Sequence, residues 1–207
     1  MLAAESGVSR ATVREALRLL AAQSLIRTAK GAGGGSYVTL PSADHISESL
    51  RSGIDLLAAA EDVTLEELLE ARELLEVPAA RLAARRRADR DVERLLASIP
   101  SEPLRLATEE QFARNRDFHS VVIEASGNTL LSIAAQPIFR VLQTHLARSV
   151  LGPGFHRAIN EHHRAIAAAI EAGDPRAAER EMRAHLDFLR PFYRKAWRHA
   201  VAAVERA

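Results

Sequence analysis

Cysteine is absent from this chain of 207 residues. Its absence excludes a disulfide scaffold, a thiolate metal site, an iron–sulfur cluster and a cysteine nucleophile. Apolar runs approaching the roughly 18 residues of a membrane span are absent as well. The N-terminus also lacks the basic segment and following apolar segment of a secretory signal. We therefore expect a soluble, cytoplasmic protein with no membrane partner.

The small net charge of +1 conceals an asymmetry. Residues 1–40 carry five basic and two acidic side chains, a net charge of +3, whereas the remainder carries −2. A basic N-terminal unit on a mildly acidic body indicates a polyanionic partner at one end. Hydrophobic residues make up 47% of the chain, which is enough for a sizeable core and excludes wholesale disorder.

Glycine and proline indicate where the chain divides. Five of the ten glycines lie in the first 40 residues. After Pro41 both residue types are sparse, and long stretches show an apolar period of 3.6 residues. We therefore predict a linker near residues 40–44, between a small N-terminal domain (1–40) and an all-helical domain (44–207). The helical domain shows no strand pattern and no repeat of fixed period.

Capping signals mark the helices of the second domain. They are Thr64 with Glu67 three residues later, Asn128, and Asp174 followed by Pro175. Together with the periodicity they predict helices over about 64–87, 109–125, 128–149 and 155–173, and a last helix from 174 onward. Pro78 and Pro191 fall inside periodic stretches and predict kinks or breaks.

Residues 2–23 predict a helix, a turn at Gly7 and a second helix capped by Ser9. The second helix has an apolar face and, beside it, a basic face. The basic face consists of Arg10, Arg14 and Arg18. Two helices in this arrangement are typical of a helix-turn-helix motif, whose second helix enters the DNA major groove.

Two β-prone runs, residues 25–28 and 36–39, flank a glycine-rich tip and predict a hairpin. A helix-turn-helix followed by a hairpin is a winged helix, whose wing can place backbone amides and Lys30 near phosphate or the minor groove. The alternative is a solvated amphipathic helix pair that binds no DNA. The residue pattern alone leaves both interpretations open.

The stretch Leu2–Arg18, LAAESGVSRATVREALR, resembles the DNA-binding signature of GntR-family transcription regulators, and Leu25–Val38 resembles the wing of that family. The resemblance implies operator DNA as a partner. It also implies a set of DNA-contacting residues on the recognition helix and the wing. These residues are Ser9, Arg10, Thr12, Arg14, Lys30 and Gly31.

The resemblance begins inside the family's motif. In the family, a further helix, a short strand and a Pro-Ser-Glu-Arg-like segment precede the position that corresponds to Met1. We therefore expect either that the start codon is misassigned or that this DNA-binding unit is partial. In the second case a winged helix without its first helix exposes apolar surface.

Segments of the helical domain resemble the FCD effector domain of the FadR-like GntR subgroup. One is Leu69–Ala84, LEARELLEVPAARLAA, and two others surround Phe118–Asn128 and His163–His185. The resemblance, which covers nearly the whole chain, implies a mainly α fold with a bundle of six or seven helices. It also implies a homodimer and an effector pocket inside the bundle.

In that subgroup, histidines at the positions of His119, His163 and His185 bind a divalent metal ion. Three imidazoles with open positions suit zinc, and imidazole also suits nickel. The fourth family ligand is an aspartate one turn before the first histidine, on the same helix face. Asn115 occupies that position here, and lacks the anionic charge. Lone histidines on apolar faces are more often structural, and His162 competes with His163 if the helix register shifts by one residue.

Arg72 and Arg140 resemble positions where the subgroup places arginines toward the effector. A buried guanidinium would bind the carboxylate of a small organic acid. The alternative for Arg72 is an ion pair with Glu76, one turn later, on a solvated surface.

The sequence therefore favours a transcription regulator, not an enzyme, controlled by a small carboxylate effector in a pocket containing a metal, with zinc or nickel expected. One alternative is a metal-dependent hydrolase that uses the three histidines. Against it, no carboxylate lies at a helix spacing that obviously provides a general base. The other alternative is a sensing or dimerisation protein that has lost DNA binding.

Overall fold

The computed structural model describes residues 2–31, 33–146 and 151–204, which form parts of two compact units, residues 1–46 and 47–207. Its elements in chain order are α1 (Leu2–Glu5), α2 (Arg10–Ala22), β1 (Ile26–Ala29), β2 (Gly35–Val38), α3 (Ala43–Ala59), α4 (Leu65–Arg86), α5 (Asp89–Ala97), a 3-10 turn (Pro103–Arg105), α6 (Thr108–Ala125), α7 (Thr129–Thr144), α8 (Pro153–Glu171) and α9 (Pro175–Val204). The expected fold class, mainly α with an N-terminal winged helix, is confirmed.

The N-terminal unit contains the predicted helix-turn-helix and hairpin. Gly7 adopts a φ of +65°, the left-handed conformation that lets the chain turn between α1 and α2. Ser9 caps α2 by accepting a hydrogen bond from the Thr12 amide at 3.1 Å. The strands pair antiparallel, with Ile26 opposite Val38. Each strand begins and ends within one residue of the predicted run.

The helices of this unit bury little. Neither α1 nor α2 contains a buried residue. Leu2 is 55% exposed and Leu19 is 53% exposed. Burial of apolar area is the main source of folding stability, so the described part of this unit gains little from enclosed apolar contacts.

The second unit is a helical bundle built around α4. This helix contacts α6, α7, α8 and α9. Alanines on its buried side let the neighbouring helices approach closely. They are Ala79, Ala80, Ala83 and Ala84, each at most 1% exposed. The described residues of the unit form seven helices, α3–α9, in agreement with the expected number.

The predicted caps are present. Thr64 and Glu67 form both hydrogen bonds of a capping box at the start of α4. The Asn128 side chain accepts from the Leu131 amide at 3.2 Å. The Asp174 side chain accepts from two amides in the first turn of α9. The helix predicted to reach Ser149 ends at Thr144 among the described residues, and Ser149 lies outside them.

A kink or a break was predicted at each of two prolines, and the break is wrong in both cases. Pro78 lies inside α4 and Pro191 inside α9. A helical proline leaves the carbonyl of the residue four positions earlier without its N–H partner. In both cases that residue, Leu74 or Asp187, is exposed, so water can hydrogen-bond to the carbonyl. The helices therefore continue through both positions.

The sequence interpretation missed two helices, α3 and α5. The linker predicted near residues 40–44 overlaps α3, which begins at Ala43. α5 lacks a Ser or Thr cap, and Asp91 instead accepts from the Ala88 amide at 2.9 Å. Within the described residues, no helix has both the length and the apolar character needed to span a membrane.

Candidate metal centre and nucleic-acid interface

Three histidines from three helices meet inside the bundle. His119 lies on α6, His163 on α8 and His185 on α9, and each is at most 1% exposed. One ring nitrogen from each lies within 4.8 Å of the others. The ring centroids are separated by 4.8 to 5.2 Å. The structure thus brings together the three side chains that the sequence analysis proposed as metal ligands.

Aromatic contacts fix these imidazoles. The His163 ring stacks on Phe118 with centroids 3.7 Å apart and 7° between the planes. His119 lies against Phe139 at 4.8 Å. His162, the competitor for His163, is half-buried and stacks on Phe188. The register of α8 therefore directs His163, and not His162, into the cluster.

Asn115 lies one turn before His119 on the buried face of α6. Its Oδ1 has no hydrogen-bond partner among the described atoms, although the residue is only 7% exposed. The nearby Asp117 is exposed and contacts Arg116 instead. The position that resembles a metal-binding aspartate is therefore occupied by a buried neutral amide.

A buried charge pair adjoins the cluster. Arg72 and Glu76 lie one turn apart on α4, are 2% and 1% exposed, and are joined by a hydrogen bond of 2.5 Å from Arg72 Nε. Arg72 Nη1 donates to Tyr193 Oη at 3.1 Å. The guanidinium also lies 4.6 Å from the centroid of the Phe139 ring. The alternative considered for Arg72 was an ion pair with Glu76 on a solvated surface. The pair exists, but both side chains are buried, so the prediction of a solvated pair is wrong.

Glu76 also orients His119. Glu76 Oε2 lies 2.5 Å from His119 Nδ1, so the imidazole donates to the carboxylate and Nε2 faces the cluster. A carboxylate in this place fixes the orientation and tautomer of a metal-binding histidine. Neither this role of Glu76 nor the contact of Tyr193 with Arg72 was predicted from the sequence. The sequence did carry a signal that Glu76 is buried, since Arg72 and Glu76 continue the buried stripe that begins with Leu65 and Leu69 on α4.

The protonation states follow from burial and charge. Burial alone would raise the pKa of Glu76, but Arg72 and His119 outweigh it and lower that pKa to about 2. Burial lowers the pKa of His119, despite the opposing attraction of Glu76. Burial and the neighbouring positive groups lower the pKa values of His163 and His185 well below the ordinary value. The cluster therefore presents neutral imidazoles, the form that binds metal ions.

The donor set fits a divalent metal ion. His163 Nε2 and His185 Nδ1 are buried and have no hydrogen-bond partner among the described atoms, as is the case for Asn115 Oδ1. An unpaired buried polar group costs about 1–3 kcal/mol, and coordination through such an atom would remove that cost at the atom concerned. Three neutral imidazoles are a common ligand set for zinc. The chemistry of the described residues thus agrees with the metal site proposed from the sequence.

A small cavity lies beside the cluster. Its lining includes Asn115, His156, Asn160 and His163. Its volume of about 20 Å³ holds about one water molecule. Asn160 donates to the Pro100 carbonyl at 2.7 Å and so fixes the segment between α5 and α6 beside this cavity. A ligand larger than water requires this segment or a side chain to move.

Not every residue proposed for the effector site reaches it. Arg140 lies on the outer face of α7, is about half exposed and contacts Glu48 at 3.6 Å. Of the two proposed effector arginines, only Arg72 contacts a cluster histidine.

The residues proposed for DNA binding are all exposed in the N-terminal unit. On α2, Arg10 and Arg14 have no ion-pair partner among the described residues, whereas Arg18 pairs with Glu15 at 2.7 Å. Ser9 and Thr12 join through their hydroxyls at 2.9 Å at the start of the same helix. In the wing, Lys30 is exposed and Gly31 has a φ of +112°. Side chains with free donors on α2 are what contact with phosphates and base edges requires.

Comparison with known proteins identifies both parts of the chain. Residues 1–36 match the family of bacterial regulatory proteins named after gntR, and residues 67–188 match the FCD domain. A candidate regulatory protein of the L-lactate dehydrogenase operon of Escherichia coli K12 is 30% identical over 91% of this chain and 73% of its own length. The transcriptional regulator LutR of Bacillus subtilis is 33% identical over 89% of this chain and 84% of its own length.

Solved structures agree with this assignment. The GntR protein of Streptococcus agalactiae aligns with a TM-score of 0.57 and 25% identity, over 92% of this chain and 85% of its own. The McbR protein of E. coli shares the fold, with a TM-score of 0.57 and 16% identity over 88% of this chain and 83% of its own. The chain is therefore a transcription regulator of the GntR family, and its helical domain is an FCD domain.

Proposed function

We propose that this regulator binds operator DNA as a homodimer and is controlled by a small carboxylic acid bound beside a divalent metal ion in the FCD domain. The observation that carries the proposal is the convergence of His119, His163 and His185, buried and close together, next to a buried arginine. Such a set of groups suits an anionic ligand and a cation together.

The DNA-binding part of the proposal uses the recognition helix and the wing. Arg10 and Arg14 would contact phosphates or base edges, with Ser9 and Thr12 beside them at the helix start. Lys30 and Gly31 would contact the backbone from the wing. One recognition helix contacts only a few base pairs, so two copies on paired half-sites supply the remaining specificity.

The metal-binding part of the proposal gives a role to each of five side chains. His119, His163 and His185 would hold the ion, zinc or nickel, while Asn115 offers a carbonyl oxygen to it or to a bound water. Glu76 keeps His119 in the tautomer that presents Nε2. When bound, the ion supplies a positive charge that attracts a carboxylate oxygen.

The acid is proposed to be small, with L-lactate as the first candidate. One relative is a candidate regulator of the L-lactate dehydrogenase operon. The proposed pocket uses Arg72 and not Arg140, because Arg140 lies on an exposed face.

A metal-dependent hydrolase is the weaker candidate. It needs a general base beside a metal-bound water. The carboxylate that contacts the cluster is Glu76, but its two oxygens are engaged by Arg72 and His119. Its lowered pKa, about 2, also makes it a weak base at neutral pH. These features favour an orienting role over a catalytic one.

The metal proposal is tested by elemental analysis of protein purified without a histidine tag. We expect about one divalent ion per chain in the wild type and a loss of that ion in His163→Ala. The matched control is His162→Ala, which changes the adjacent residue of α8 and should keep the ion. Absence of metal after loading with Zn²⁺ or Ni²⁺, or equal content in the two variants, contradicts the site.

The regulatory proposal is tested by selecting binding sequences from random DNA and measuring the affinity for the selected sequence by fluorescence anisotropy. We expect a sequence with two-fold symmetry and an affinity that changes when the protein is titrated with Zn²⁺ and L-lactate. Sedimentation equilibrium should show a dimer at micromolar concentration. Failure to select any sequence would favour a sensing protein without DNA binding.

A further inference from the structure

Each nitrogen of the Arg72 guanidinium has at least one hydrogen-bond partner inside the bundle. Its Nε donates to Glu76 Oε1 at 2.5 Å, and its Nη1 donates to Tyr193 Oη at 3.1 Å. Its Nη2 lies 3.1 Å from His119 Nε2. Because Arg72 is only 2% exposed, bulk water cannot replace a partner that one of these groups loses.

His119 has one lone pair to offer, on Nε2. Its Nδ1 lies 2.5 Å from Glu76 Oε2, and an ionised carboxylate only accepts hydrogen bonds, so Nδ1 carries the ring proton. The remaining nitrogen, Nε2, accepts from Arg72 Nη2. The same Nε2 faces the cluster and also accepts a hydrogen bond from His185 Nε2 at 3.2 Å. The atom that would bind a metal ion is therefore the atom that now satisfies the arginine.

We propose that Arg72 loses this acceptor when the three histidines bind a divalent ion, and that the N–H group so released binds the carboxylate of a small acid. A lone pair engaged in coordination no longer accepts a hydrogen bond. The N–H of Nη2 that donated to His119 is then buried beside a cation and has lost its acceptor, a state that favours any acceptor able to enter. This inference rests on the proposed function, since it presupposes the histidine site.

The charges at the cluster support the same coupling. Glu76 compensates Arg72, and three neutral imidazoles and the Asn115 amide add no charge. Among the described residues, Glu76 is the one carboxylate in contact with a cluster histidine. The charge of a bound ion is thus left without a second protein anion, and uncompensated buried charge is disfavoured. The carboxylate of an acid supplies that anion, so metal and acid each strengthen the binding of the other.

Asn115 determines how strong this mutual dependence is. It lies one helical turn before His119, and its buried Oδ1 has no partner among the described atoms. A carboxylate at this position would compensate part of the ion's charge without any acid. With asparagine the anion must come from the ligand. The domain thus responds to metal and acid together instead of holding a metal permanently.

The test measures the Zn²⁺ affinity of the 207-residue chain by competition with a chromophoric chelator. The affinity is determined in chloride, and then in acetate and in L-lactate at the same ionic strength, with the chelator calibrated in each buffer. Acetate is the minimal probe because it carries the group common to all carboxylic acids. We expect each acid to tighten Zn²⁺ binding by about 5- to 150-fold, the usual range for two coupled sites. Linkage requires Zn²⁺ to tighten lactate binding by the same factor.

Asn115→Asp is the matched variant. It should bind Zn²⁺ more tightly than the wild type in chloride and lose most of the gain from acetate or lactate. The visible spectrum of bound Co²⁺ then shows whether both proteins form the same coordination site. An undiminished gain in this variant contradicts the role given to Asn115.

The two proposals fail in different ways. A chain that binds no Zn²⁺ in any of the three buffers contradicts the metal site and thus the proposed function. A chain that binds Zn²⁺ with one affinity in chloride, acetate and lactate contradicts only the coupling, and the metal site stands.

Discussion

The two units use their arginines in opposite ways. In the N-terminal unit, Arg10 and Arg14 are exposed and have no ion-pair partner among the described residues. In the helical domain, Arg72 is buried and bonded to Glu76 and Tyr193. An exposed guanidinium is available to a phosphate at once, whereas a buried one becomes available only when an internal partner is removed. The first arrangement suits constitutive contact with a polyanion, and the second suits a response to a ligand.

One pair in each unit makes the comparison sharper. Arg18 bonds to Glu15 with both side chains more than half exposed, and Arg72 bonds to Glu76 with both nearly inaccessible. Exposed pairs contribute little because water and salt screen them. Removing one partner of a buried pair leaves an uncompensated charge in a medium of low polarity. Similar residue pairs, one turn apart on a helix, are therefore expected to differ greatly in their effect on stability.

The largest expected effect follows from breaking the buried pair. We expect Glu76→Gln to lower the free energy of unfolding by about 3–5 kcal/mol, because Arg72 then remains charged and buried. The measurement is urea unfolding followed by the fluorescence of Trp197, the single tryptophan of the chain, which lies in the helical domain. Replacing the exposed Glu66, which pairs with Arg194, should have a much smaller effect.

A second variant keeps this prediction testable if Glu76→Gln does not fold. Replacing both partners, as Arg72→Met with Glu76→Leu, removes the uncompensated charge and should recover much of the lost stability. If the double variant is no more stable than Glu76→Gln, burial of the lone charge is not the cause of the loss.

The next effect concerns pH and the metal-free protein. Burial lowers the pKa values of His119, His163 and His185, so below the ordinary value of 6.5 the unfolded chain binds more protons than the folded chain. The free energy of unfolding should therefore fall as the pH drops below about 6.5, by up to about 1.4 kcal/mol per pH unit for each histidine. Glu76, with a folded pKa of about 2, adds a loss only below its ordinary value of 4.5.

Urea unfolding between pH 8 and pH 5 (roughly the range in which an unperturbed histidine titrates), with a chelator present, measures this dependence. His185→Gln should reduce the slope by up to about 1.4 kcal/mol per pH unit, since it removes one buried imidazole. A wild-type stability that does not change between these two pH values contradicts the burial of neutral histidines.

Most helices of the bundle could be predicted because their ends are marked locally. Thr64 with Glu67 and Asp174 with Pro175 are signals that a few residues carry by themselves. α3 could not be predicted in this way. Its apolar side chains Leu50, Leu56 and Leu57 are largely exposed, so its pattern does not resemble a helix with one buried face.

The three histidines of the candidate site could be predicted from the sequence, but the burial of its charged pair could not. His119, His163 and His185 were identified by resemblance, and their meeting depends on the packing of α6, α8 and α9. The burial of Arg72 was ambiguous, because a pair at positions i and i+4 has the same sequence spacing on a solvated surface and in a core. Only the position of α4 at the centre of the bundle decides between the two, and that position results from contacts between helices distant in sequence.

A smaller effect is expected in the N-terminal unit, on DNA affinity and not on stability. Arg14→Ala should weaken binding to the selected operator and, if Arg14 contacts a phosphate, reduce the slope of log affinity against log salt by about 1. The matched control is Arg18→Ala, one turn later on α2, whose side chain is already paired with Glu15. We assign Arg14, and not Arg18, to the DNA-contacting face. An equal loss of DNA affinity in the two variants contradicts this assignment.

The smallest expected effect concerns the tip of the wing. Gly31 has a φ of +112°, and no atom lies within 4 Å of the place where a Cβ would stand, so an alanine there would be strained by the backbone and not by contacts. We expect Gly31→Ala to weaken DNA binding several-fold, since strain of about 1–3 kcal/mol must be relieved by a change in the wing. Gly33, in equally open space but outside the left-handed region, is the control and should accept alanine with less loss. The urea unfolding of the domain that contains Trp197 should be the same in both variants. A loss of stability there would mean that the wing and the helical domain fold as one unit, which contradicts the separate roles of the exposed and the buried arginines.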